Sequence, residues 1–323
     1  NVNVVEEQSI PNGNFPTVVY PNPEESEALS MAVNQAKATN ADLVMATDPD
    51  ADRVGIAARN SDGEWQLLNG NQTATLIFWY MLDAWKKAGR ITGNEMIVTT
   101  IVTTDLLNKM APAYGVEAFD TLTGFKYIAG IMREYEGRKK FIVGGEESYG
   151  YLVGDQVRDK DAVISCAIIA ELMAYAKDNK LTLFDLLTEI YKQFGFYLEG
   201  LISITKKGKT GAEEIQEMMS RLRKNPPQTI AGSPTVQMMD YKTGFTRDLR
   251  TGTEMPINME KSNVLQFVTE DGTKVSARPS GTEPKIKFYF SVNAPLQNAA
   301  EYKAVEARLK DKIQSIITEM ELK

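Results

Sequence analysis

Apolar residues in the first part of the chain fall into short continuous runs, set between longer stretches with helical spacing. Residues 43–46 (LVMA) and 54–58 (VGIAA) read as buried strands, with the polar turn TDPDADR between them. Asp62-Gly63 predicts a hairpin into a third strand over 65–68. Upstream, Asn22, Pro23 and Glu25 stand in the order of an N-cap, a first-turn proline and a capping-box acid, and Leu29, Val33 and Ala36 follow at helical spacing. A helix is therefore predicted to start at Asn22. Another helix, over about 72–87, ends at Gly89, and Glu95 opens a unit of strand, helix, strand and helix. That unit holds a strand at 140–143, the segment GGEESYGYLVG and paired helices over about 160–177 and 183–194. From Leu198 the pattern changes to separated strands, among them 264–268, 274–277 and 286–292, with a closing helix after Pro295. Residues 206–210 and 225–229 read as polar or proline-bearing connectors. The pattern divides the chain into 1–93, 94–198 and 199–323, the last of these α+β.

Composition narrows the class. With 43% hydrophobic and 24% charged residues, the chain is a folding one. Its formal charge of −7, with no block of lysine and arginine, argues against a nucleic-acid partner. Cys166 is the only cysteine, so no intramolecular disulfide can form, and a reducing, cytoplasmic location is the expectation. The most apolar stretch, 162–176, contains Glu171 and is shorter than the ~20 residues of a bilayer span. It reads as a buried helix, and no membrane partner is expected. The start, NVNVVEEQSIPNGNFP, has neither the basic end nor the apolar core of a secretion signal, and does not resemble a natural start.

Three segments carry candidate chemistry. Asp48, Asp50 and Asp52 alternate directly after a strand, and three crowded carboxylates repel one another unless a cation sits among them. Alternate residues of an extended loop share a face, so three hard oxygens can converge on one divalent ion, Mg²⁺ by preference, with Arg53 directed at a neighbouring anion. By itself the pattern also describes a solvated acidic turn. An EF-hand is excluded by spacing, because arginines stand at Arg53 and Arg59, where glycine and glutamate are required. In RPSGTEPKIKFYF, backbone N–H groups and the hydroxyls of Ser280 and Thr282 could wrap a phosphate around Gly281, with Arg278 as a planar fork. Lys285 and Lys287 share one face of the following strand, placing one of them near the anion. Alone, this loop is equally a proline-glycine turn. Gly144 and Gly145 allow close approach of a ligand to backbone, and Glu146, Glu147 and Ser148 offer groups suited to vicinal sugar hydroxyls, although alone the segment more often describes a polar turn.

DPDADR, TGFKYI, GGEESYG and RPSGTEP, in this order, resemble the α-D-phosphohexomutase family, in its phosphoglucomutase/phosphomannomutase branch. The resemblance implies an α/β fold: mixed-sheet three-layer domains, then an α+β C-terminal domain. It assigns 1–93 to a partial second domain with the metal loop, 94–198 to a third with the sugar loop, and 199–323 to a fourth with the phosphate loop. It further implies Mg²⁺ on Asp48, Asp50 and Asp52; Arg53 and Lys160 at the transferred phosphoryl group and substrate; and sugar contacts from Thr123, Gly124, Lys126, Glu146 and Ser148. Arg278, Ser280, Gly281, Thr282 and Lys287 match the grip on the phosphate that does not react. The implied reaction interconverts glucose 1-phosphate and glucose 6-phosphate through a bisphosphate, with glucose 1,6-bisphosphate as activator of the parent enzyme. GEES favours glucose, while TLTGFKYI also resembles pentose-active relatives; a phosphomannomutase, a phosphopentomutase or a noncatalytic module that binds phosphosugar or metal are the alternatives.

One departure is plain. The family's serine lies in a loop of the form T-x-S-H-N-P, and these 323 residues contain no histidine. The resemblance therefore implies a C-terminal fragment that lacks the phosphoserine domain, is inactive alone, and has the N-terminal segment of the same enzyme as its natural partner.

Overall fold

The computed structural model describes residues 1–206, 208–281 and 283–322, and the chain divides into two units, Asn1–Phe194 and Gly195–Lys323. The first begins with α1 (Glu6–Ser9) and α2 (Ser30–Thr39), followed by β1 (Leu43–Thr47), β2 (Val54–Arg59) and β3 (Trp65–Leu68). These three strands form an antiparallel sheet in the order β1-β2-β3, and the acidic turn joins its first two strands. Leu29 and Ala36 pack on Val44 and Ala57 of this sheet.

The helix expected from Asn22 starts instead at Ser30. The Asn22 side chain accepts the Glu24 N–H at 3.0 Å, and successive turns close from Glu25 N to Asn22 O and from Ala28 N to Glu25 O. Pro23 explains the difference. It lies so close over Gly55 that a Cβ there would come within 2.3 Å of the Pro23 carbonyl oxygen, which ties this segment to β2.

Next come α3 (Gly70–Lys87), β4 (Glu95–Thr100), α4 (Leu106–Ala113), β5 (Glu117–Thr121), α5 (Phe125–Glu134), β6 (Lys140–Gly145), β7 (Tyr151–Val153), α6 (Ala162–Asp178) and α7 (Leu183–Phe194). Their sheet runs β5-β4-β6-β7, parallel except for β7. Met96 and Val98 of β4 pack with Phe125, Ile128 and Met132 of α5. A Cβ at Gly144 would meet Ile128 of α5, whereas one at Gly145 would meet Phe78 of α3, so helices cover both faces. Three layers result. The helix α3 starts with a reciprocal capping box, Asn69 Oδ1 accepting Gln72 N–H at 2.9 Å and Gln72 Oε1 accepting Asn69 N–H at 3.0 Å. Asn69→Ala should cost about 1 kcal/mol, read as a lower denaturation midpoint at unchanged m-value.

The apolar helix α6 is less buried than its composition predicts. Ala162, Ser165, Ile169, Leu172 and Ala176 form its buried stripe, while Val163 is 71% exposed. Contacts with α3, α7, β1, β2 and β7 bury that stripe. Among the described residues, no helix is long and apolar enough to cross a membrane.

The second unit comprises β8 (Phe196–Thr205), α8 (Gly208–Lys224), β9 (Thr229–Ile230), β10 (Ser233–Asp240), β11 (Phe245–Asp248), β12 (Glu254–Pro256), β13 (Leu265–Thr269), β14 (Lys274–Pro279), β15 (Lys285–Ala294), a 3₁₀ turn at Ala299–Glu301 and α9 (Tyr302–Glu319). Its antiparallel sheet runs β12-β11-β10-β13-β14-β15-β8, with β9 paired to β10, and α9 packs on β15 and β8. The connector expected at 206–210 overlaps the start of α8. Ile215 and Met219, four residues apart, are the buried anchors of that otherwise polar helix.

Candidate functional site

The acidic turn is folded around one carboxylate. Asp48 Oδ1 accepts the N–H groups of Asp52 at 3.1 Å and Arg53 at 3.0 Å, and Asp48 O accepts Ala51 N–H at 3.0 Å. Ala51 takes a left-handed φ of 55°, which bends the chain sharply enough for these bonds to close. One oxygen each from Asp48, Asp50 and Asp52 then lie within 4.8 Å of one another. Burial raises the pKa of Asp48, the Arg53 backbone N–H opposes this, and the charges of Asp52 and Asp50 raise it further. These are three hard donors within reach of one small divalent cation.

Lys160 ties this turn to the rest of the unit. Its Nζ lies 2.8 Å from Asp52 Oδ2 and 5.7 Å from the centroid of the Phe125 ring. Burial alone would lower its pKa, but the hydrogen bond and charge of Asp52 outweigh it and the net shift is upward. The lysine stem crosses Gly150 so closely that a Cβ there would lie 2.2 Å from Lys160 Cδ. Two backbone bonds complete the link, from Val54 N to Tyr149 O and from Ala162 N to Ala51 O, each 3.0 Å.

Glu146 is buried, and its Oε1 accepts the Gly124 N–H at 2.7 Å, where Gly124 (φ 122°) leads into α5. Glu147 accepts hydrogen bonds from Thr100 and Thr103 at 3.3 and 3.2 Å. Thr123 and Ser148 are half-buried, and the exposed Lys126 has its Nζ 4.7 Å from the Tyr127 ring centroid. The first unit thus brings together the acidic turn, Lys160, Phe125 with Gly124, and Glu146; Lys126 stacks on its own neighbour. Gly150 and Tyr149 were missed in the sequence reading, although both lie beside the GEES motif.

In the second unit, Arg278 on β14 is the direct cross-strand partner of Lys287 on β15, which in turn faces Ser203 on β8. Like charges placed opposite each other destabilise a ladder unless an anion answers them. Lys285 pairs with Thr205 on the same side, as period-two alternation predicts. The loop is held by Ser280 N–H to Lys285 O at 2.7 Å and Glu283 N–H to Ser280 Oγ at 3.2 Å. A Cβ at Gly281 would meet nothing within 4 Å, so this backbone is open to approach. Thr282 lies outside the described residues. Ser203 is a further hydroxyl in this row that no motif signalled.

Models of consecutive domains in one family match this chain: "Phosphoglucomutase/phosphomannomutase, alpha/beta/alpha domain II" at residues 1–63, domain III at 69–194, and the C-terminal domain at 236–309. The chain belongs to the phosphoglucomutase/phosphomannomutase family. It is 36% identical to the phosphoglucomutase of Staphylococcus haemolyticus over 293 residues, 91% of this chain and 53% of that protein. It is 39% identical to the Staphylococcus aureus (strain USA300) phosphoglucomutase over 296 residues, 91% of this chain and 52% of the relative. The chain spans about half the length of these relatives. Its fold is similar to that of a phosphoglucomutase/phosphomannomutase family protein from Burkholderia thailandensis, with a TM-score of 0.61, 18% identity, and coverage of 96% of this chain and 53% of that one. The open form of Paramecium parafusin superposes with a TM-score of 0.59 at 21% identity, covering 93% and 51%. The family and fold implied by the four motifs are thereby borne out.

Proposed function

We propose that this chain supplies the metal, sugar and second-phosphate contacts of a phosphosugar mutase that interconverts glucose 1-phosphate and glucose 6-phosphate. What carries the reading is the convergence of the Asp48, Asp50 and Asp52 oxygens within 4.8 Å, in the unit where Lys160 meets Asp52 and Glu146 meets Gly124. In this reading the three aspartates hold Mg²⁺, which when bound offsets the charge that develops on the transferring phosphoryl group. Arg53 and Lys160 add fixed positive charge beside it. Glu146 and Ser148, with Thr123, Gly124 and Lys126, orient the sugar by its hydroxyls. The second unit grips the phosphate that does not react, through Arg278, Lys287, Ser280 and Gly281, with Thr282 as a further contact. Such a grip turns a bimolecular encounter into a positioned one.

The test is calorimetric titration of the chain with Mg²⁺ or Mn²⁺. One site should appear, and Asp50→Ala should weaken it beyond detection. Asp50 is the most exposed of the three carboxylates, so its removal disturbs the fold least. Equal affinity in the variant would refute the metal assignment.

A further inference from the structure

Arg53 borders the aspartate cluster, yet its closest acidic contact lies elsewhere. Arg53 Nη1 is 3.2 Å from Glu24 Oε1, within hydrogen-bond reach, whereas Nε is 3.9 Å from Asp48 Oδ2 and 3.8 Å from Asp52 Oδ1, outside it. The backbone of the turn occupies Asp48 Oδ1, so Oδ2, on the Arg53 side, is the oxygen left to serve as a ligand. A planar guanidinium is well suited to fork across two carboxylate oxygens, and here it would compete with a cation for them. Glu24 is itself firmly placed. Its N–H bonds Asn22 Oδ1 at 3.0 Å, and the buried Pro23 before it sits against Gly55, two residues from Arg53. This is why residues 22–29 turn where a helix was expected.

We propose that Glu24 is a positioning residue: it tethers Arg53 so that the guanidinium stays beside the carboxylates of Asp48 and Asp52 without bonding to the oxygens that take the metal. The inference rests on the metal reading above. Without the tether, Arg53 swings onto Asp48 Oδ2 and Asp52 Oδ1 and opposes metal entry. Lys160 holds Asp52 Oδ2 and Asp159 rather than Asp48, so the Asp48 side depends on Glu24.

The experiment measures Mn²⁺ binding to the full chain, by the electron paramagnetic resonance signal of free Mn²⁺. It compares wild type, Asp50→Ala, Glu24→Gln, Glu24→Asp, Arg53→Gln and the Glu24→Gln/Arg53→Gln double variant. Glu24→Gln should weaken affinity by about threefold to fivefold, the scale of one partly exposed charge contact. Glu24→Asp keeps the charge but loses reach, and should weaken affinity similarly. In the Arg53→Gln background the Glu24→Gln change should have no further effect, since nothing remains to tether. Three results overturn the proposal: unchanged affinity in Glu24→Gln, wild-type affinity in Glu24→Asp, or equal losses from Glu24→Gln in both backgrounds, which marks a bare charge effect. If wild type binds Mn²⁺ no better than Asp50→Ala, the metal reading fails and takes the tether with it; if wild type binds and Asp50→Ala does not, only the tether is on trial.

Discussion

Expressed by itself, the 323-residue chain should interconvert glucose 1-phosphate and glucose 6-phosphate at no measurable rate, even with glucose 1,6-bisphosphate present. The resemblance implies a phosphoryl donor serine in a T-x-S-H-N-P loop, and a chain with no histidine does not contain that loop. Positioning and charge stabilisation lower a barrier only for a reaction whose reactants are present. Co-expression with the serine-bearing N-terminal part of a family member should restore turnover. In that pair, Asp48→Ala in this chain should lower the rate by ~100-fold or more, the scale of losing a preorganised charge-stabilising group. Turnover by the chain alone, or restored turnover indifferent to Asp48→Ala, would sink the functional reading.

A single methyl group at Gly70 should destabilise the first unit by roughly 2–3 kcal/mol. A Cβ there would come 1.8 Å from the carbonyl oxygen of Glu147 and 3.1 Å from the Tyr149 ring. Neither the first turn of α3 nor the GEES loop can yield by a rotamer change, because Gly70 O accepts the hydroxyl of the fully buried Tyr151 at 2.8 Å. Chemical denaturation of Gly70→Ala measures the cost, and a wild-type midpoint would show the contact to be softer than its geometry. Gly150→Ala is the informative contrast. It collides with the flexible stem of Lys160, so it should cost under ~1 kcal/mol, yet displace the ammonium from Asp52 and depress turnover of the complemented enzyme.

Local pattern was enough for much of the fold. The helix expected over 183–194 is α7 (Leu183–Phe194), and the strand expected over 65–68 is β3 (Trp65–Leu68), because apolar spacing and turn residues act within a few positions of themselves. The order of four short motifs was likewise sufficient for the family, since each motif is contiguous and its chemistry is written in adjacent side chains.

What the sequence could not disclose were the relations between distant segments. Asn22, Pro23 and Glu25 satisfy every local rule for a helix start, yet the contact of Pro23 with Gly55 and of Glu24 with Arg53 holds them in turns. Helix α8 was hidden because its two buried anchors stand among polar residues, and the composition of α6 predicts a buried helix without saying how many neighbours surround it. The pairing of Arg278 with Lys287 and Ser203 depends on ladder register, which hydrogen bonds between separate strands set. Glu146 meets Gly124 across 22 positions, and Arg53 meets Glu24 across 29. Residue types and short-range periodicity thus determined the elements and the chemistry available to them. Only long-range packing decided which carboxylate faces which cation, because a side-chain contact is a property of two backbones brought together and not of either one alone.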